Sequence, residues 1–351
     1  MFSYMEVMNG ILYHAVGASS ASLCYTPQKK VRQWSWQTYW LAQAAICWLI
    51  LPVVVAFLTI PHLSAVLAEA PSSAMYRSFL LGMAYGIGGT AFGIAIRYVG
   101  FSLTYAISVG ISCVLGTLIP PIMNGSFSQV MESNGATSIF SGVAMGALGI
   151  ALCGIAGRSK EKDIEKKQSV KSDFSLAKGL PLCLLAGVLS AFYSFSLDQA
   201  TPIATIAEQH GAGGLKENVK YLFSNTGAFV TTLLYCVYLH IRNRTWKEYR
   251  SAGSGLGKNY VMAILTGVLW YGQFFFYGLG HVRMEAGGYG FSSWAIHMIM
   301  LVLFSSVAGL LLKEWKGCST RTIRLLMLAL VVLVAAVLLL TYGNYEASQA
   351  N

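Results

Sequence analysis

At 351 residues, 55% hydrophobic and only 11% charged, with a mean hydropathy of +0.58, the chain has too few charges to coat a soluble globule of its size. Its net charge of +10 would suggest nucleic acid in a soluble protein, but the basic residues gather in short loops between apolar segments. Anionic lipid headgroups are the expected partner there, and nucleic acid is not. Seven scattered cysteines, six of them inside apolar segments and none in a CxxC pair, give no support to a disulfide framework or a cysteine metal site.

Ten apolar segments follow, each of about 17 to 23 residues, the length a helix needs to cross about 30 Å of hydrocarbon. The first, at about 7–26, has Glu6 before it and His14 near its middle, and it lacks a basic leader and a cleavage site. It reads as a spanning helix and not as a removable signal. The second covers about 38–60. The third, about 78–98, spaces Gly82 and Gly86, then Gly89 and Gly93, four apart, a pattern that lets helix backbones approach closely. It ends at Arg97. The fourth, about 102–121, carries Ser108 and Ser112 and is closed by Pro120 and Pro121 before a turn at Asn124 and Gly125. After the fifth, about 138–157, comes the charged stretch RSKEKDIEKKQSVKSDFSLAK at 158–178. The sixth, about 179–197, holds Tyr193 and Ser194. The seventh covers about 219–240, the eighth about 260–280, the ninth about 291–312 and the tenth about 324–342.

Twenty of the 24 Lys and Arg residues fall in alternate loops, leaving only Arg77, Lys216, Lys220 and Arg283 in the other set. Short cytoplasmic loops retain basic residues during insertion, so the twenty mark the cytoplasm and both termini are expected outside. Residues 158–178 read as a cytoplasmic basic linker between a first five-helix repeat at 1–157 and a second at 179–351. An odd number of helices per copy turns the second copy upside down. Gly17, Ser20 and Ala21 echo Gly187, Ser190 and Ala191, and Gly82, Tyr85 and Gly93 echo Gly267, Trp270 and Gly278.

Ionisable groups inside the spans are scarce. His14 and His297 lie near the middles of the first and ninth helices, and a buried imidazole can take and release a proton near neutral pH. The competing reading is a neutral histidine held by a hydroxyl or carbonyl; Ser293, four residues before His297, shares its helix face. In the eighth helix, Trp270, Gln273, Phe274 and Tyr277 share a face, with Tyr271 beside them. An aromatic surface next to an amide suits a sugar, whose C–H face stacks while its hydroxyls pair with the amide. Its alternative is a packing stripe. Serines in membrane helices, Ser20 and Ser194 included, mostly bond their own backbone. No HExxH, phosphate loop or dinucleotide fingerprint occurs, which disfavours an enzyme or an ATP-driven pump.

The stretches YHAVGASSASLCYTPQKKVRQWSW at 13–36, IRYVGFSLTYAISVGISCVLGTLIPPIMNG at 96–125, LWYGQFFFYGLGH at 269–281, and SSWAIHM followed by GLLLKEWKG at 292–317 resemble the bacterial L-rhamnose/proton symporter family, a branch of the drug/metabolite transporter superfamily. The resemblance covers nearly all ten segments. It implies an all-α membrane protein of ten helices in two inverted five-helix repeats, which takes up a sugar with a proton across the bacterial inner membrane. His14, Arg97, Asn124, Trp270, Gln273, His281 and His297 fall within the matching stretches. The expectation is therefore a proton-coupled importer of rhamnose or a related deoxysugar, with the proton as coupling ion and no other cofactor or metal. His14 or His297 would carry the proton. Trp270, Tyr271 and Gln273, helped by Ser20, Tyr193, Ser194 and Ser293, would hold the sugar. Arg97, Asn124 and His281 would serve as gate or interface. An exporter or exchanger on the same scaffold, or a non-transporting sugar sensor, are the alternatives.

Overall fold

A computed structural model describes residues 2–168, 175–251, 253–286 and 290–348, and the described residues are all-helical. The long helices are α1 (Phe2–Leu23), α2 (Trp36–Thr59), α3 (Ser72–Val99), α4 (Phe101–Met123), α5 (Ala136–Gln168), α6 (Leu176–Gln199), α7 (Tyr221–Asn243), α8 (Leu256–Ala286), α9 (Ser293–Leu311) and α10 (Thr320–Ser348). Each predicted segment lies on one of them. Among the described residues, nine of these helices, α2 to α10, contain a stretch long and apolar enough to cross a membrane. Helix α1 falls short by composition, because its 22 residues include Glu6, Asn9, His14 and four serines.

The elements follow from local chemistry. Within α2, Ala45–Ile50 form a wide π turn. Pro52, just beyond, has no N–H to offer the carbonyl four residues back, and its ring crowds that carbonyl, so the ladder loosens upstream. Pro120 and Pro121 occupy the last turn of α4, and Gly125 takes a φ of +71° in the turn that follows. Helix α5 runs eleven residues beyond the predicted segment, to Gln168, so the first part of the 158–178 linker is helical. Its charges explain this: Arg158 pairs with Glu161 at 3.3 Å, Lys160 reaches Glu314 at 3.4 Å, and Asp163 accepts from the Ser319 N–H and the Thr322 hydroxyl.

Helix α10 shows what surrounds the molecule. Leu326, Ala329, Leu333, Ala336 and Leu340 form a buried stripe at helical spacing, while Leu328, Val331, Val334 and Leu338 are exposed. A helix that is apolar all round, with its outer face uncovered by protein, fits hydrocarbon and not water.

The chain divides into two compact units. One comprises Met1–Ser19, Gly88–Ser194 and Gly280–Asn351; the other comprises Ser20–Ile87 and Phe195–Leu279. The first thus contains α4, α5, α9 and α10 entire, the second contains α2 and α7, and α1, α3, α6 and α8 run through both. Lipid gives helices no hydrophobic reason to associate, so packing rests on close backbone approach. In the first unit, a Cβ at Gly142 or Gly149 of α5 would lie 2.7 Å from Leu340 or Leu333 of α10. In the second, two of the glycines expected to pack α3 do so against α7: Gly82 faces the Ser224 carbonyl and Gly86 the Ala228 carbonyl, and Gly227 returns the contact at the Phe79 carbonyl.

Two stretches expected as loops, 61–77 and 198–218, fold into a cap on the second unit. Short helices Leu63–Glu69 and Thr201–Gln209 bury Ile60, Val66, Ala74, Ile203 and Val219 in one cluster. Beneath it, Glu217 and Lys220 form an ion pair at 2.8 Å with both side chains 3% exposed. Lys220 also donates to Thr201 at 3.2 Å.

Candidate functional site

Each unit contains a buried cluster built from residues that the sequence singles out. In the first unit, α1 and the end of α8 touch at two glycines. A Cβ at Gly280 would stand 2.8 Å from the Gly10 carbonyl oxygen and 3.0 Å from two ring carbons of His14. The missing side chain leaves room for the His14 imidazole against α8. Wholly buried there, His14 places Nε2 2.7 Å from the hydroxyl of Ser293, at the start of α9. His297, one turn further along α9 and 2% exposed, brings its ring centroid to 5.5 Å from that of His14 at an interplanar angle of 67°.

The histidine face of α9 continues through Trp294. Its Nε1 donates to the Ser112 carbonyl at 2.8 Å, and Gly116 of α4 leaves room for the indole. Tyr193, buried on α6, faces Trp294 with centroids 6.3 Å apart. The Ser194 hydroxyl is shared between the carbonyls of Gly116 at 2.6 Å and Ala191 at 2.9 Å. Two positive charges in this cluster would disfavour each other. Two cationic imidazoles 5.5 Å apart would repel by about 3 kcal/mol at an effective dielectric constant of about 20. The Ser293 hydroxyl can donate to or accept from His14, so it follows whichever tautomer is present.

In the second unit the α8 face is buried from Trp270 to Tyr277, Gln273 included. The Trp270 indole is boxed by three rings: Trp48 at 5.3 Å, and Trp40 and Tyr25 each at 5.5 Å. Tyr271 meets Tyr221 edge-on at 6.3 Å, and the Tyr221 hydroxyl donates to the Phe274 carbonyl. Ser20 is engaged in joining helices: its hydroxyl donates to the Leu269 carbonyl at 2.7 Å and fills the space beside Gly272. Trp40 and Trp48, on α2, escape the sequence reading. Eight residues apart, they would be rotated by about 80° in a regular helix. The π turn between them widens the helix to about 4.4 residues per turn and brings them back to one face. An amide between two tryptophans in an apolar segment, Gln43, was the available signal.

The three predicted gate or interface residues lie apart from these clusters in character. Asn124 is exposed in the turn after α4, His281 is half-buried on α8 within reach of Gly290, and the side chain of Arg97 lies outside the described residues. Among the described residues, no three His, Cys, Asp or Glu side chains are grouped to hold a metal ion.

The family of L-rhamnose-proton symport proteins (RhaT) matches residues 4–345 of the chain. The L-rhamnose-proton symporter of Cronobacter sakazakii is 37% identical over 331 residues, covering 93% of this chain and 95% of that one. Those of Mannheimia succiniciproducens and Escherichia coli are each 34% identical, over 335 and 332 residues, covering 94% and 93% of this chain and 96% and 95% of theirs.

Proposed function

Because this chain belongs to the L-rhamnose-proton symport protein family, a family of multi-pass membrane transporters and not of enzymes, we propose that it imports L-rhamnose or a closely related deoxysugar together with a proton. The observation that carries this reading is the buried group His14, Ser293 and His297, which joins two imidazoles and a hydroxyl inside apolar helices. Ionisable groups are costly in such surroundings and are retained where they work on protons or substrates.

The two imidazoles accept one proton between them, and charge repulsion keeps a second away. One charge crossing about 150 mV releases about 3.4 kcal/mol, enough for about 300-fold accumulation of a neutral sugar. One proton per sugar suffices. The α8 face at Trp270, Tyr271 and Gln273 takes the sugar, with indole surface for its C–H groups and an amide for its hydroxyls.

We take α1 as a tenth span, since its 22 residues are long enough to cross and its polar residues belong to the proton site. Two inverted five-helix repeats account for the make-up of the units, in which α4 and α5 go with α9 and α10, α2 goes with α7, and α1 and α3 share their divided character with α6 and α8. The loop charges orient the protein in the bacterial inner membrane with both termini in the periplasm.

Proteoliposomes carrying the purified protein and an imposed inward proton gradient test the proposal. L-rhamnose should accumulate and external pH should rise. A panel of sugars that includes rhamnose and yields no proton-linked uptake would reject it, and outward-only flux or binding without flux would favour an exporter or a sensor.

A further inference from the structure

We propose that α2 supplies the second wall of the sugar site and that Gln43 is the residue that reads the sugar's hydroxyl pattern, an inference that rests on the symport reading and names its site. Gln43 is 0% exposed, and neither its amide nitrogen nor its amide oxygen has a hydrogen-bond partner among the described residues. Three further buried polar atoms of the same region share that condition: Nε1 of Trp40, Nε1 of Trp48 and the Tyr271 hydroxyl. They are not scattered. Trp40 and Trp48 both pack on Trp270, the residue next to Tyr271, and Gln43 lies between the two tryptophans on α2. Helices α2 and α8 are close at this level, for a Cβ at Gly267 would stand 3.0 Å from the Gln43 carbonyl oxygen.

The contrast with other buried polar groups on α2 and α8 gives the observation its force. Gln37 donates to Thr245 at 3.0 Å, Asn259 donates to the Arg32 carbonyl at 2.7 Å, and Thr266 donates to the Cys24 carbonyl while accepting from Tyr39. These neighbouring polar groups are satisfied, whereas five polar atoms gathered around Trp270 are not; elsewhere in the unit Glu217 Oε2 and Thr232 Oγ1 are single atoms in that condition. Each such atom costs about 1 to 3 kcal/mol when left unpaired. A ligand that pairs with them recovers that cost on binding.

Their chemistry defines the ligand. The amide NH2, two indole N–H groups and a phenol supply donors, the amide oxygen supplies an acceptor, and three indole rings supply faces for C–H groups. Gln43, the tryptophans and Tyr271 carry no charge, so a sugar acid or amino sugar would bury an ion without a counter-ion. The geometry points to a neutral pyranose rich in hydroxyls. The cost of an unpaired amide makes Gln43 a specificity determinant: a site built to bond a hydroxyl rejects the analogue that lacks it.

The test compares wild type with Gln43→Leu in detergent, using L-rhamnose and rhamnose analogues that each lack one hydroxyl, with affinity read from tryptophan fluorescence and thermal midpoints measured without sugar. Gln43→Leu should bind L-rhamnose about 10- to 100-fold more weakly and lose the discrimination against one analogue. Its sugar-free midpoint should equal or exceed that of wild type, since an unpaired amide has been removed. Unchanged affinity and discrimination overturn the proposal, and so does a lowered midpoint with discrimination intact, which would mark a structural amide. If Gln43→Leu does not fold, Gln43→Asn, which moves the amide by one methylene, decides: altered analogue preference supports the proposal and unaltered preference overturns it. Should wild type fail to bind rhamnose, the symport reading fails separately. A panel of neutral pyranoses then tests the box, which stands if any of them stabilises wild type and not the variant, and falls if none does.

Discussion

Replacing Gly280 by Ala puts one methyl group into the contact between α1 and α8. The added carbon would stand 2.8 Å from the Gly10 carbonyl oxygen and 3.0 Å from Cδ2 and Cε1 of His14. Carbon atoms settle at about 3.5 to 4.0 Å, so the histidine ring must retreat by about 0.5 to 1 Å. Backbone on one side and a wholly buried ring on the other leave little slack, and overpacking of this kind costs about 1 to 3 kcal/mol. The same displacement lengthens the 2.7 Å contact between His14 and Ser293. Gly257, near the start of the same helix, has nothing within 4 Å of its Cβ position, and Gly257→Ala is the matched control. Thermal midpoints in detergent and proton-driven sugar uptake in proteoliposomes should both fall for Gly280→Ala, while Gly257→Ala should hold or gain stability. Equal midpoints and equal uptake for the two variants would refute the close contact and its link to the proton site.

Three other outcomes follow from the same geometry. His297→Gln should keep sugar counterflow but lose gradient-driven accumulation; accumulation at wild-type level would remove His297 from proton coupling. Gln273→Leu should weaken sugar binding by about 1 to 3 kcal/mol, measured by fluorescence titration, and unaltered affinity would return that residue to packing. Glu217→Gln should destabilise by about 3 to 5 kcal/mol because it strands the Lys220 ammonium under the cap, and Glu217→Gln combined with Lys220→Met should recover most of the loss. A thermal midpoint for the single variant equal to wild type would show that the pair is solvated.

The membrane segments were legible because lipid imposes a length and a composition on every crossing. A stretch read at about 102–121 becomes Phe101–Met123, and one read at about 219–240 becomes Tyr221–Asn243. What joins the segments was much less legible. Sequence spacing offers Ser293 to His297 one turn away, but its hydroxyl lies at Nε2 of His14, a residue 279 positions distant. Ser20 could serve a sugar or a helix crossing, and the bond it makes to the Leu269 carbonyl, 249 positions away, is not visible in the sequence. Lys220 counts as a loop charge by position, yet the 201–219 stretch folds over it. The box around Trp270 was half visible, because its α8 wall follows ordinary helical spacing and its α2 wall does not.

That irregular turn also lets α2 change its residue count by one without changing the face it presents. A π turn holds one residue more than a regular turn needs, so removing one residue from Ala45–Cys47 would let the helix close into an even spiral. A deletion there would leave Trp40 and Trp48 seven residues apart, and seven residues of regular helix turn through about 700°, within about 20° of the same face. In most membrane helices a single-residue deletion shortens the span and leaves the faces to readjust. Here the extra residue is taken up within the turn, so among homologous chains an α2 one residue shorter across this turn, and regular throughout, would present the same two tryptophans to the box.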